Sequence, residues 1–334
     1  MAVSGTIQNV RIAGMACAVP SAVVGNDIFV SRFGAEQMEK FEKMVGVRER
    51  RFSDAKESTA DLAVAAARQL QDKGLWSGDN VDAVLFVSQT PNRILPATAC
   101  ELQARLGITT DAIAYDINLG CSGFAYGLFS AASLLQMPGV GRVILCGGDT
   151  ISKLTKYDDP ARAPLFGDAG FAVVLEKEDE ATPIHFAFKT DGSGSEAISC
   201  EYGGHLCMDG MDVFNFTINE VPDLIKETLA DCSLSVDQID YFVLHQANRF
   251  VLKQVAFAIG TSMRKLPVSM DRYGNTSSAS IPLTLCDMKV RDPDLSVKKC
   301  LMSGFGVGLS WGTLVMDFNF DTCFGIVETR RADV

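Results

Sequence analysis

The sequence has few residues that commonly bind metals, and it lacks a long hydrophobic run. Its three histidines, His185, His205 and His245, do not fall at metal-ligand spacing, so no zinc site is expected. No two cysteines have the C-x-x-C spacing. No apolar stretch approaches the ~18 residues that a membrane-spanning helix needs. These absences exclude the common metal sites and a membrane-embedded protein.

Basic residues are outnumbered by acidic ones. The chain has 30 Lys and Arg against 41 Asp and Glu, which gives a formal net charge of −11 at pH 7. An acidic chain repels phosphate backbones, so no nucleic acid is expected as a partner. An acidic protein partner would have to bind a local basic patch. The 334 residues, of which 47% are hydrophobic, suffice for one large or two smaller domains with a substantial core.

The ten cysteines indicate a reducing compartment. Several of them, such as Cys146 and Cys300, lie in apolar runs, where a free thiol behaves as a small hydrophobic group. The apolar stretch 12–24 resembles a signal peptide only loosely, because it contains a proline and has no leucine-rich centre. It is better interpreted as a strand followed by a loop. We therefore expect a cytoplasmic protein.

Strand-like apolar runs alternate with helix-like segments, which is typical of an α/β protein. The pattern of the first half recurs in the second, since VDAVLFVSQTPN at 81–92 resembles IDYFVLHQANR at 239–249. Each is followed by a helix, a strand that ends in a sharp turn into another helix, a Gly-ended strand and a final apolar strand. Such self-similarity predicts two copies of one α/β unit, residues 1–180 and 181–334, with a shared core.

Cys121 is the first candidate for chemistry. It lies in DINLGCSGF, where an extended segment is predicted to end and a helix to begin with the cysteine. A helix N-terminus favours a thiolate, and Gly120 and Gly123 are expected to leave room for a substrate. The alternative is a small residue packed in a strand-to-helix turn, which is the more common role of a cysteine.

His245 and Asn275 occupy related places in the second half. His245 ends the strand IDYFVL, at the edge where ligands bind in open α/β sheets, and takes the repeat position of Ser88. Asn275 takes the place that Cys121 has in the first half. Each alternative is structural: a hydrogen-bonded core histidine, and a turn residue after a glycine. The repeat favours convergence of the three side chains on one site.

The glycine-rich segment GFGVGLSWG at 304–312 is not a dinucleotide-binding loop. It lacks the G-x-G-x-x-G order, and a strand rather than a helix follows it. We interpret it as a place where backbone amides come close to a reacting carbonyl group.

Together these motifs resemble β-ketoacyl-acyl-carrier-protein synthase III, a family of the thiolase superfamily. The resemblance is carried by CSGF at 121–124, HQAN at 245–248, GNTSSASIP at 274–282, FGDAG at 166–170, GVRERR at 46–51 and the segment 304–312. It runs in unbroken order from about residue 14 to residue 317. It implies a five-layered αβαβα fold, a homodimer, and a catalytic triad of Cys121, His245 and Asn275.

The resemblance implies a decarboxylative condensation that needs no cofactor. An acyl thioester, from acyl-CoA or acyl carrier protein (ACP), acylates Cys121, while the backbone N–H groups of Cys121 and Val307 stabilise the oxyanion. His245 and Asn275 then bind the carbonyl group of a malonyl thioester such as malonyl-ACP. The enolate that forms as CO2 leaves attacks the acyl group and gives a 3-oxoacyl thioester.

The resemblance also assigns residues to the substrate pocket. Phe305 is expected beside the decarboxylating carboxylate, and Gly306, which follows it, is expected to line the substrate pocket. The apolar loop 93–97, with Leu95, is expected to reach the acyl pocket of the neighbouring subunit. In a monomer this loop would be a costly exposed patch.

The chain departs from the family pattern where coenzyme A binds. The Trp and Arg that hold the adenine in typical members correspond here to Lys40 and Met44, and the Asn of the family's MAGNEVF segment corresponds to Met211. The loop 191–214 looks shortened, and the chain continues past the usual end of the family. These departures favour weak coenzyme A binding and a role outside the start of fatty-acid synthesis, such as acyl supply for a secondary metabolite or a surface glycan.

Arg249 and Lys253 are the candidate docking residues for ACP. They lie at i and i+4 on the helix that follows His245, hence on one face of that helix, where they would attract the acidic helix of a carrier protein. The alternative is a solvated helix face that binds nothing.

A second function stays open at this point. An acyltransferase of the same fold would load Cys121 and pass the acyl group to an alcohol, an amine or a thiol without condensation. A carrier-binding subunit with a dead site is disfavoured because Cys121, His245 and Asn275 are all present.

Overall fold

The structure, a computed structural model, describes residues 2–330. Within that range the helices are α1 (Asp27–Phe33), α2 (Ala35–Val45), α3 (Thr59–Asp72), α4 (Thr98–Arg105), α5 (Gly123–Leu134), α6 (Gly210–Asp231), α7 (Arg249–Ile259), α8 (Met270–Tyr273) and α9 (Ser280–Arg291). The strands are β1 (Val3–Ile7), β2 (Val10–Pro20), β3 (Val23–Gly25), β4 (Glu49–Arg51), β5 (Ala83–Val87), β6 (Ile113–Ile117), β7 (Arg142–Asp149), β8 (Ala169–Lys177), β9 (Ile184–Thr190), β10 (Ile198–Ser199), β11 (Cys207–Met208), β12 (Tyr241–Leu244), β13 (Val297–Gly306), β14 (Ser310–Asn319) and β15 (Cys323–Thr329).

Two large sheets form the centre of the molecule. One has six strands in the order β15-β2-β8-β7-β5-β6, and the other has five in the order β1-β9-β14-β13-β12. Equivalent strands of the two sheets pair in the same way. β5 is parallel to β7, which is antiparallel to β8, just as β12 is parallel to β13, which is antiparallel to β14. The repeat seen in the sequence is therefore a repeat of strand pairing.

Helices cover both faces of each sheet, which gives the five-layered αβαβα fold. α5 has no charged residue, and it packs with α9 between the two sheets, in one hydrophobic cluster with residues from both. A helix without a polar face can only be accommodated in such an interior layer. α3 and α4 cover the outer face of the six-stranded sheet, and α6 and α7 cover the outer face of the five-stranded sheet.

Two edge strands cross the division at residue 180. β1 pairs with β9 in the five-stranded sheet, and β15 pairs with β2 in the six-stranded sheet. The five-stranded sheet thus contains one strand from residues 1–180, and the six-stranded sheet contains one strand from residues 181–334. The division into residues 1–180 and 181–334, whose last four residues lie outside the described range, stays a prediction about sequence repeats.

In the described part of the chain no helix combines the length and the apolar character needed to cross a bilayer. The same residues contain no cluster of His, Cys, Asp and Glu side chains arranged to hold a metal ion.

Candidate active site

Cys121 lies in the tight turn between β6 and α5, two residues before the helix begins. The glycines that flank Cys121 allow this turn to pack closely against the end of β5 and the residues that follow it. A Cβ atom at Gly123 would lie 2.6 Å from Val87 Cγ1, and one at Gly120 would overlap Gln89 Oε1. The expectation that these two glycines leave room for a substrate is therefore wrong, because protein atoms fill the space beside them.

The turn between β13 and β14 packs directly against the Cys121 side chain. A Cβ atom at Gly306 would lie 2.7 Å from Cys121 Cβ and 3.1 Å from Sγ. Next to it, the carbonyl oxygen of Val307 accepts a hydrogen bond from Ser310 Oγ at 2.7 Å, and Ser310 Oγ lies 2.7 Å from Ser122 Oγ. These two contacts fix the β13–β14 turn to the residue that follows the cysteine.

The predicted thiolate is wrong. Burial raises the pKa of Cys121 to about 12, and the negative charge of Asp149 contributes to the rise. The Ser277 hydroxyl and the backbone amides of Cys121 and Val307 lower the pKa, but by less. Desolvation of an anion outweighs the favourable field of a helix N-terminus here. At neutral pH the sulfur is a thiol, and two backbone N–H groups point at it.

His245 follows β12 directly and is 2% exposed. Its Nδ1 atom lies 2.8 Å from Ser280 Oγ, and its ring is edge-on to Phe305, with 5.4 Å between the ring centroids. Burial lowers the pKa of His245 to about 3, although a backbone hydrogen bond with Ser277 acts in the opposite direction. The imidazole is therefore neutral at physiological pH, with one N–H to donate.

Three hydrogen bonds fix the position of Asn275. Its backbone N–H donates to the carbonyl oxygen of Leu165 at 2.9 Å, and its own carbonyl accepts from the N–H of Gly167 at 3.0 Å. Its side-chain Oδ1 accepts from the backbone N–H of Ser277 at 2.9 Å. Because Oδ1 is engaged, the Nδ2 group is the part of the amide that can donate to a substrate.

A single cavity of about 1290 Å³ joins these groups. The predicted residues that line it are Cys121, His245, Asn275, Phe305, Gly306 and Val307. Much of the remaining wall is apolar, including Ile151, Leu154, Leu165, Ile198, Leu206, Met208, Val213 and Phe214. The cavity can therefore hold an apolar acyl chain next to a thiol and several hydrogen-bond donors.

Three predicted residues of the described chain lie outside this cavity wall. Leu95 is 80% exposed on the loop before α4. Arg249 and Lys253 are exposed on α7, near the cavity mouth, because Asn248 and Phe250 beside Arg249 line the cavity.

The two residues at the expected adenine site also lie on the surface. Lys40 forms an ion pair with Glu36 on α2, with 2.7 Å between Nζ and Oε1, and Met44 is 63% exposed. Neither residue is part of the cavity wall within residues 2–330. An aromatic stack for an adenine ring is not formed at these positions.

The sequence analysis missed Asp149, the last residue of β7. It is fully buried and accepts hydrogen bonds from Ser88, Gln89, Thr90 and Ser278. A signal was present in VILCGGD, since a carboxylate that ends an apolar, glycine-rich strand needs buried donors. The serines that contact the triad were also missed, because single serines carry no pattern.

Two family models match the chain. One describes the C-terminal part of 3-oxoacyl-[acyl-carrier-protein] synthase III and matches residues 229–318, and the other describes 3-oxoacyl-[acyl-carrier-protein] synthase III and matches residues 115–192. The β-ketoacyl-[acyl-carrier-protein] synthase III of Streptococcus gordonii is 36% identical over 322 residues, which cover 92% of this chain and 98% of that protein.

Solved structures agree with these matches. A 3-oxoacyl-(acyl-carrier protein) synthase from Burkholderia xenovorans is 39% identical, with a TM-score of 0.94, over 98% of this chain and 99% of that one. The synthase III of Pseudomonas aeruginosa is 29% identical, with a TM-score of 0.86, over 93% and 99% of the two chains. Matches of this extent, together with the fold, show that the chain belongs to the 3-oxoacyl-[acyl-carrier-protein] synthase III family of condensing acyltransferases.

Proposed function

We propose that Cys121, His245 and Asn275 perform the two steps of the condensation in this chain. The observation that supports the assignment is their convergence. A thiol from the first half of the chain shares one largely apolar cavity with an imidazole and an amide from the second half. The thiol can act as the nucleophile of the first step, and the imidazole and the amide can act as hydrogen-bond donors in the second. A two-step acyl transfer requires both kinds of group.

In the first step Cys121 attacks the carbonyl carbon of an acyl thioester. The charge that develops on the carbonyl oxygen is stabilised by the backbone N–H groups of Cys121 and Val307, which already point toward the sulfur. The new C–S bond replaces the thioester bond of the donor, and the thiol proton leaves with the donor's sulfur. The acyl group then occupies the apolar part of the cavity.

In the second step His245 and Asn275 bind the thioester carbonyl of a malonyl group. In the tautomer with the imidazole proton on Nε2, the Ser280 hydroxyl donates to Nδ1 and the Nε2–H group can donate to the carbonyl oxygen. Loss of CO2 puts negative charge on the bound carbonyl oxygen, where two neutral donors stabilise it. Carbon 2 of the enolate attacks the acyl carbon, and the Cys121 thiolate departs. The ring of Phe305 makes the surroundings apolar, which favours neutral CO2 over a carboxylate.

We infer that the substrates are thioesters, with acyl-CoA or acyl-ACP as the acyl donor and malonyl-ACP as the extender, and that ACP is the protein partner. The thioester supplies the activated carbonyl and decarboxylation supplies the carbanion, so the chemistry calls for no cofactor. All ten cysteines are free thiols, and five of them are buried, which supports a location in the cytoplasm. Malonyl-dependent release of CO2 is the measurement that separates condensation from simple acyl transfer to an alcohol, an amine or a thiol.

Removal of each triad side chain is expected to have a different effect. Cys121→Ala should abolish acylation, measured by mass spectrometry of the intact protein with an acyl thioester. His245→Ala and Asn275→Ala should keep acylation but slow malonyl decarboxylation by ~10²–10³-fold, because each removes one donor to the developing charge. Equal loss of acylation and decarboxylation in these two variants would contradict the division of roles.

Gly306→Ala is expected to slow acylation of Cys121 by about 10²-fold, because the added Cβ would lie against the sulfur and displace the attacking atom. The matched control is Gly139→Ala, where φ is also positive, at 84°, and the added Cβ would have no neighbour within 4 Å. Acylation rates of both variants are measured with the same thioester. A Gly306→Ala protein that is labelled as fast as the control would show that the sulfur does not attack from this position.

We propose that the chain forms a homodimer through the loop 93–97. Ile94 and Leu95 are 75% and 80% exposed, an apolar patch that a partner subunit would cover. Sedimentation analysis should show a dimer, and the double change Ile94→Ser with Leu95→Ser should shift the protein toward monomer and reduce activity. A wild-type protein that is a fully active monomer would contradict the proposal.

Docking of ACP is proposed on the exposed face of α7. Arg249 and Lys253 lie one turn apart, and Phe257, 86% exposed, continues the same face. The double change Arg249→Glu with Lys253→Glu should raise KM for an ACP-bound substrate, most strongly at low salt, because charge attraction is screened by ions. It should leave a short N-acetylcysteamine thioester nearly unaffected.

The matched control for docking is Lys73→Glu with Lys177→Glu, two exposed lysines at the end of α3 and of β8, which belong to the six-stranded sheet and its outer helix layer rather than to α7. This pair changes the net charge by the same amount but should leave KM unchanged. Equal effects of the two double variants would mean that only overall charge matters. An equal loss for the short thioester would mean that the double change had damaged the fold or His245.

A further inference from the structure

Arg50, the middle residue of β4, is a fully buried arginine that the two-step mechanism does not use. Its Nη1 atom donates to the carbonyl oxygen of Val24 at 3.0 Å. Its Nη2 atom donates to Asn26 Oδ1 at 2.7 Å and to the carbonyl oxygen of Pro164 at 2.6 Å. The guanidinium group also lies over the ring of Phe29, 5.2 Å from the ring centroid. The side chain thus joins three segments of the first half of the chain.

The surroundings of this arginine are costly for a charge. All three hydrogen bonds go to neutral oxygen atoms, and Nε is buried without a hydrogen-bond partner among residues 2–330. Burial lowers the pKa of Arg50 to about 10, so the guanidinium group is still charged at neutral pH. Because a buried charge is normally paired with an opposite charge, stability alone is a poor reason for an arginine at this position.

One of these hydrogen bonds leads to the active site. The short segment that follows Pro164 provides the backbone partners of Asn275. The N–H of Asn275 donates to the carbonyl oxygen of Leu165 at 2.9 Å, and the N–H of Gly167 donates to the carbonyl oxygen of Asn275 at 3.0 Å. Arg50 therefore fixes the residue directly before the segment that positions Asn275.

The side chain of Arg50 also packs against both of these segments. A Cβ atom at Gly167 would lie 3.1 Å from Arg50 Cβ and would overlap the carbonyl oxygen of Tyr273. A Cβ atom at Gly274, the residue before Asn275, would likewise lie 3.1 Å from Arg50 Cβ. Neither segment has room for a side chain, so a shift at Arg50 is transmitted to the backbone on both sides of the contact.

The donor direction of Asn275 depends on this backbone. Its Oδ1 atom accepts from the N–H of Ser277, so Nδ2 can move relative to the cavity only if the backbone around it moves. A misplacement of about 1 Å in a reacting arrangement can cost ~10²-fold in rate. A displacement of the segment after Pro164 should therefore weaken the hydrogen bond from Asn275 to the malonyl carbonyl oxygen.

Cys121 and His245 are positioned by other contacts. The residue after Cys121 contacts the β13–β14 turn through Ser310 Oγ, and the backbone N–H of His245 donates to the carbonyl oxygen of Ser303 at 2.8 Å. These contacts belong to the end of β13 and the turn that follows it, and Arg50 contributes to neither. A change at Arg50 should therefore affect the step that uses Asn275 more than the acylation of Cys121.

We propose that Arg50 is a positioning residue for Asn275, which acts through the Pro164 carbonyl and residues 165–167 to set where the Asn275 amide donates to the malonyl carbonyl oxygen. The proposal rests on the proposed role of Asn275 in decarboxylation. Arg50 is not among the described residues that line the cavity, so it does not touch the substrate.

The first test is Arg50→Lys, because lysine keeps the charge but lacks the planar fork that reaches several acceptors at once. The kcat for CO2 release from malonyl-ACP should fall about tenfold, while acylation of Cys121 by an acetyl thioester should stay within about twofold of the wild-type rate. A short acetyl group is used because Leu165 and Phe166 line the cavity, where a longer chain would contact them. Equal losses in the two steps would overturn the proposal.

The matched control is Arg51→Lys, the same change at the next residue of β4. Arg51 donates to the carbonyl oxygen of Pro20 at 3.2 Å and pairs with Glu328 of β15 at 2.9 Å, away from the Asn275 segment. Both steps should keep their wild-type rates in this variant. A selective loss of decarboxylation in Arg51→Lys as large as that in Arg50→Lys would contradict a specific role of Arg50.

The second test combines Arg50→Lys with Asn275→Ala. If Arg50 acts through Asn275, the double variant should release CO2 no more slowly than Asn275→Ala alone, since the positioned amide is already absent. A further tenfold loss in the double variant would show that Arg50 acts independently of Asn275 and would overturn the proposal.

Asn26→Ala keeps the proposal testable if Arg50→Lys fails to fold. This change removes one acceptor of the guanidinium group but retains the arginine and its contact with Pro164. We expect a smaller loss of the same kind, about threefold in decarboxylation with acylation unchanged. A decarboxylation rate equal to that of the wild type would overturn the proposal.

The outcomes for Arg50 and for the proposed function are distinguishable. If Asn275→Ala released CO2 as fast as the wild type, the role of Asn275 itself would be wrong. If Asn275→Ala were slow while Arg50→Lys and Asn26→Ala matched the wild type, only the role of Arg50 would be wrong.

Discussion

Close packing of backbone against backbone at the Cys121 turn is the constraint on which the site depends. A Cβ atom at Gly304 would lie 2.9 Å from both the carbonyl oxygen of Cys121 and the Cα of Ser122, so the end of β13 passes directly over the turn. This contact joins a strand of the second half to a loop of the first. It places Val307 close enough for its N–H to reach the sulfur, and no side chain could be inserted without moving both segments.

The same packing removes water from the site and thereby sets its protonation states. Desolvation disfavours the charged form of every buried group, so the thiol pKa rises to about 12 and the pKa of His245 falls to about 3. The two groups do not form an ion pair at rest. They remain a neutral nucleophile and a neutral donor, and the oxyanion and the enolate become the charged species that the site binds. The hydrogen-bond donors of the site therefore stabilise these charged reacting species more than they stabilise the resting enzyme.

The sequence predicted those features that depend on pattern. The apolar runs within 81–92 and 239–249 located β5 and β12, and the internal repeat predicted that the residues at the ends of the repeated strands would meet. The thiolate was mispredicted because helix position is a local property, whereas burial of Cys121 depends on residues that are far away in sequence. Asp149 was missed for the same reason, since its donors at 88–90 and 278 become neighbours only in the folded chain. The sequence also did not predict that β1 and β15 would each join the sheet of the other half. Both are edge strands, and hydrophobic periodicity does not specify the pairing partner of an edge strand.

The position of β15 has a consequence for how this protein folds during synthesis. β15 pairs with β2 in parallel, with Cys323 opposite Met15, so the partners are separated by almost the whole described sequence. The six-stranded sheet therefore stays incomplete on the ribosome until residues 323–329 have emerged. Until then one edge of β2 has unpaired N–H and C=O groups that can pair with another chain. Contacts between such distant segments slow folding, so this edge of β2 stays unpaired for longer than an edge covered by a neighbouring segment.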